Sequence, residues 1–65
     1  MKVKELLSVT KGIKTYEFIL KTGKIESYNT DRRTNTVDAR IVEHLDKDVT
    51  RVFAIKADVI RIDAI

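Results

Sequence analysis

The stretch Val49 to Ile65 is dense in Val, Ile and Phe and carries no polar face of helical length, so it is expected to form strands. Its apolar parity changes partway. Phe53 and Ile55 are apolar at odd positions, whereas Ile60, Ile62 and Ala64 are apolar at even ones. One straight strand would turn its core face to solvent there, so a bend, bulge or tight turn is expected around Lys56-Ala57-Asp58.

A second β signal lies earlier. Tyr16, Phe18 and Leu20 alternate with polar positions, Gly23 follows, and Ile25 to Tyr28 resumes β-forming residues. A turn that needs positive φ would use a glycine, so both Gly12 and Gly23 read as turn positions. With Thr22-Gly23 as a two-residue loop, Leu20 faces Ile25 and Phe18 faces Ser27. Asn29 to Thr36 has no periodic apolar position and reads as an exposed loop.

Val37 to Lys47 fits two patterns. As a helix it has Thr36 as N-cap, Asp38 in the first turn, and Val37, Ile41 and Leu45 on one face. As a strand it pairs with the segment beyond a turn at Asp46-Lys47-Asp48, placing Leu45 opposite Val49, Glu43 opposite Arg51, Ile41 opposite Phe53 and Ala39 opposite Ile55. The match in character along that pairing favours the strand. With an N-terminal element around Val3 to Val9, the expected fold is all-β: a small curled sheet or SH3-like or Sm-like barrel of five to six short strands. A helix over 37–47, giving an α+β fold, is the alternative.

Sixty-five residues without an internal repeat or linker make one small domain, residues 1–65, with room for one core. Without cysteine there is neither a disulfide framework nor a thiolate metal site, and no membrane-spanning or signal-like apolar run is present, so a cytoplasmic setting is expected. The net charge of +3 arises from interspersed basic and acidic residues, which permits an anionic partner without requiring one.

Little in the sequence points to catalysis, and the protein is read as non-enzymatic, with no cofactor and no metal. His44 is the only histidine, so a zinc site would rest on carboxylates; it reads as a surface residue. Asp46 and Asp48 read as a solvated turn. Lys21-Thr22-Gly23-Lys24 lacks the spacing of a phosphate-binding loop. Arg32 and Arg33, with Lys21 and Lys24, form the candidate basic patch for nucleic acid, and Tyr16, Tyr28 or Phe53 could offer stacking faces. Alternation also marks Phe18 and Phe53 as core.

Arg61-Ile62-Asp63-Ala64-Ile65 keeps an apolar pattern to the last residue, so the C-terminal strand reads as an edge for pairing, with Ile60, Ile62 and Ile65 as interface candidates. The leading expectation is a protein-interaction module that associates with itself or another protein. A nucleic-acid-binding small barrel is the second.

Overall fold

The computed structural model describes residues 1–31 and 33–65. Arg32 lies outside the described residues.

The chain runs α1 (Val3–Val9), β1 (Thr15–Ile19), β2 (Ile25–Asp31), β3 (Thr36–Val37), a short 3-10 helix η1 (Ala39–His44), β4 (Val49–Lys56) and β5 (Val59–Ala64). The five strands form one sheet in the order β3-β2-β1-β5-β4. All neighbours are antiparallel except β1 and β5, which run parallel. The sheet is open, with β3 and β4 at its two edges, so the expected closure into a barrel does not form. The fold is mostly sheet; of the helix over 37–47 in the α+β alternative, only a short 3-10 helix at Ala39–His44 forms, and the N-terminal element is the helix α1.

The first hairpin forms, with a different loop. Leu20 N–H donates to Lys24 C=O (2.8 Å) and Gly23 N–H to Leu20 C=O (2.8 Å), which closes a three-residue loop Lys21-Thr22-Gly23. Gly23 supplies the left-handed position that ends such a turn, at φ 84°. The register therefore differs by one from that of a two-residue loop: Ile19 faces Ile25 and Phe18 faces Glu26. Glu26 and Tyr28 consequently share a face with Phe18. Beyond Tyr28, β2 continues to Asp31, so of the stretch read as a loop from Asn29 to Thr36 the first three residues and Thr36 are strand, while Arg33 to Asn35 is a turn.

Val37 to Lys47 does not form a hairpin with β4. β4 pairs with β5, and Phe53 faces Arg61 rather than Ile41. The expected turn at Lys56-Ala57-Asp58 is present as the connection between these two strands, with Lys56 opposite Val59 and a register shift between Ala54 and Lys56. The core-facing positions are even in both strands, with Val52 opposite Ile62 and Ala54 opposite Ile60, so the apparent change of parity arises because Phe53 lies on the other face of the sheet. η1 begins at Asp38, whose carboxylate accepts from Arg40 N–H (3.0 Å) and holds the Arg40 guanidinium (2.7 Å).

One face of the sheet carries the core: Tyr16, Phe18, Tyr28 and Ile62, covered by Val3 and Leu6 of α1 and by Ile41 and His44 of η1. A seven-residue helix spans only about 10 Å. It cannot cover five strands, and η1 takes the remainder; burial of Ile41 and His44 thus outweighs the strand pattern of the segment. α1 forms because Lys4, Glu5, Leu6 and Leu7 are good helix formers, with Val3 and Leu6 spaced to face the sheet. Its first free N–H groups donate to another segment's carbonyls, Val3 to Lys47 (3.0 Å) and Lys4 to Leu45 (3.0 Å). The link from η1 to β4 therefore caps α1.

The opposite face is polar and bare of helices. Across it run the ion pairs Glu17–Arg61 (3.0 Å) and Arg51–Asp63 (3.0 Å), each joining residues directly opposite on neighbouring strands.

Candidate functional site

Three side chains from two elements converge with His44 at the margin of the core face. Glu26 and Tyr28 come from β2 and Glu43 precedes His44 at the end of η1. His44 is 2% exposed, which overturns its reading as a surface residue. Its ring stacks on Phe18 (4.3 Å between centroids, planes 6° apart), and its Nε2 edge faces the hydroxyl of Tyr28 at 3.0 Å. That hydroxyl is also 3.1 Å from Glu43 Oε1 and 3.2 Å from Glu26 Oε1. Nε2 itself lies 3.1 Å from Glu43 Oε1 and 3.6 Å from Glu26 Oε1.

On the other side of the ring, Lys47 Nζ is 2.9 Å from Nδ1. An ammonium can only donate, so Nδ1 accepts and the imidazole hydrogen sits on Nε2, directed at Glu43 and Tyr28. Burial, then the hydrogen bond to Glu43 and the charges of Glu26 and Glu43, push the Tyr28 phenol well above the ordinary tyrosine range. Tyr28 is therefore a neutral donor to the two carboxylates at any physiological pH. Among the described residues, no lysine or arginine forms an ion pair with Glu26 or Glu43.

A separate cleft of about 450 Å³ is bordered by Leu7, Thr10, Ile13, Tyr16, Thr30 and Val37. Thr30 Oγ1 is buried there without a hydrogen-bond partner among the described residues. Among the described residues the lining includes Lys11 and the Tyr16 phenol but no carboxylate or imidazole.

The third feature is the edge strand β4. Val52, Phe53 and Ile55 are 45%, 37% and 41% exposed, and among the described residues no strand pairs with the outer side of β4 beyond Val49, whose N–H donates to Met1 C=O (2.8 Å). Phe53, expected in the core, lies on the polar face beneath the Arg51 guanidinium (5.3 Å to the ring centre). The edge expected of the C-terminal strand belongs to β4 instead: β5 is held between β1 and β4, Ile62 is fully buried, and Ile60 is half-buried. Ile65 is exposed.

Among the described basic candidates, Lys21, Lys24 and Arg33 do not converge. Lys21 and Lys24 sit at one end of β2 and Arg33 beyond the other, separated by a seven-residue strand of about 23 Å. Arg33 N–H is bound to Asp31 (2.9 Å). Tyr16 and Tyr28, considered for stacking, are 4% and 3% exposed and present no free ring face.

No protein-family model, curated protein or solved structure matches this chain. Among the described residues no helix is long and apolar enough to cross a membrane.

Proposed function

We propose that this is a non-enzymatic protein-interaction module that self-associates through β4. The observation that carries the reading is the run of exposed apolar residues on an edge strand that is left unpaired beyond Val49 and has neither proline nor glycine, a template for strand addition. The partner is a second copy, because β4 is complementary to itself. In an antiparallel pairing centred on Val52, Val52 meets Val52, Arg51 of one copy meets Phe53 of the other, and Thr50 meets Ala54. No like charges oppose one another in that register. It also extends the contact that Arg51 already makes over Phe53.

Register shifts at both ends of β4 restrict the regular segment to a few residues around Val52 and Phe53. Such irregularities favour a closed two-fold pair over an extending stack.

Mass by light scattering across a concentration series tests this. The expected result is a dimer that Val52→Lys, which sets two ammonium groups face to face, converts to a folded monomer. A wild-type chain that stays monomeric at high concentration overturns the reading. Binding of single-stranded DNA or RNA that weakens steeply with salt and is lost in Arg32→Ala/Arg33→Ala would put the nucleic-acid reading in its place.

A further inference from the structure

We infer that Glu26, Glu43 and His44 form a binding site for one first-row divalent metal ion, zinc being the ion the donor set suits best. One donor atom from each of the three lies within 4.8 Å of the others. The Nε2 to carboxylate distances of 3.1 Å and 3.6 Å bracket about 3.4 Å, the edge of a tetrahedron with metal–ligand bonds of about 2.1 Å. One imidazole nitrogen with two carboxylate oxygens is a borderline donor set, suited to zinc or cobalt and poor for magnesium, which demands six oxygens.

The buried imidazole separates this group from an ordinary cluster of surface acids. Stacking on Phe18 and burial to 2% exposure fix the ring, so its Nε2 edge is held toward the carboxylates before any ion arrives. The carboxylates are more accessible, with side-chain exposures of 39% for Glu26 and 60% for Glu43, which leaves an entry path from solvent. Proton supply is also short. The hydroxyl of Tyr28 and Nε2 bring two hydrogens to two carboxylates that carry two negative charges, and a divalent cation would neutralise them fully. Tyr28, neutral and 3.1 to 3.2 Å from both carboxylates, would remain as the donor that orients the ligands.

Metal binding at Nε2 requires its hydrogen to leave and Nδ1 to take one, so the imidazole changes tautomer with no net loss of protons from the ring. Nδ1 can then no longer accept from Lys47, and the ammonium must swing into solvent. Lys47 is thereby a competitor of the metal, although it touches no ligand carboxylate. This is a distinctive consequence, because an adventitious surface site would be indifferent to it.

The test is calorimetric titration of the chain with zinc chloride, with cobalt(II) as a visible-absorption probe and magnesium as control. The expected result is one equivalent of zinc bound, visible cobalt bands of a site with fewer than six ligands, and no heat with magnesium. Because His44 is the only histidine, its ring nitrogen resonances in NMR report Nε2 ligation without ambiguity. Glu26→Gln and Glu43→Gln, on accessible side chains that keep the fold, are each expected to weaken zinc at least tenfold, and Lys47→Met to strengthen it severalfold. Absence of zinc binding overturns the site, as does binding that leaves the His44 nitrogens unshifted or is unaffected by both glutamine variants. Binding that Lys47→Met fails to strengthen overturns ligation through Nε2.

Discussion

The imidazole of His44 lies flat on the phenyl ring of Phe18, 4.3 Å away and nearly parallel, and the pair joins η1 to the middle of the sheet. Phe18 is 2% exposed, and truncating such a residue costs about 3–5 kcal/mol. That is comparable to the roughly 3–5 kcal/mol a core of this size supplies. Phe18→Ala is therefore expected to be unfolded at room temperature by circular dichroism, whereas Phe18→Leu retains the native spectrum with a lowered Tm.

Tyr28 is expected to resist ionisation. In a Tyr16→Phe background, where it is the only tyrosine, the native chain should show no tyrosinate absorbance at about pH 10, the ordinary midpoint. The folded-state pKa lies above the unfolded one. The resulting stability is fully present below about pH 10 and is lost as pH rises toward the folded value. The gap in urea midpoint between wild type and Tyr28→Phe should accordingly narrow in alkali.

Asp38 provides the opposite case. Its side-chain and backbone hydrogen bonds from Arg40 hold the carboxyl below its usual range. A depressed pKa contributes stability above the unfolded value and loses it as pH falls through the folded one. Asp38→Ala is expected to lower the urea midpoint at neutral pH, and the difference from wild type should shrink as the pH falls below the ordinary aspartate value of about 3.9.

Gly23 ends the β1–β2 loop at φ 84°, and a β-carbon added there would meet nothing within 4 Å. The penalty of Gly23→Ala is therefore one of backbone conformation alone, about 1–2 kcal/mol. Asn tolerates the left-handed region better than Ala, so Gly23→Asn should cost less. Equilibrium unfolding in urea, with an unchanged slope, checks the order.

The hairpin and the β4–β5 turn were legible because their signals are local. Alternation before Gly23 locates one, and the apparent parity change between Ile55 and Ile60 points to the other, although Phe53 lies off the core face. The metal-binding trio was not legible, and the cause is a single residue of loop length. A two-residue loop at Thr22-Gly23 sets Ser27 beside Phe18, whereas the three-residue loop sets Glu26 there and brings Tyr28 to the same face. With Glu26 turned away and His44 read as exposed, nothing in the linear pattern joined the two. The spacing of Glu26 and Tyr28, two apart on one strand, was the available signal; it becomes informative only once the register is known.

By itself the sequence determined where strands begin and turn, since alternation, β-branched residues and a glycine at positive φ act within a few residues of one another. It also determined that no disulfide staples the fold. Only the tertiary structure decided which strands pair, and with that whether Val37 to Lys47 is strand or helix, which strand is the open edge, and whether His44 is buried. Ile41 could face Phe53 in a hairpin or cover Phe18's side of the sheet from η1, and local preference supports both. The choice follows from β4 taking β5 as its partner and from an open sheet needing its apolar face covered, a condition set by the whole chain.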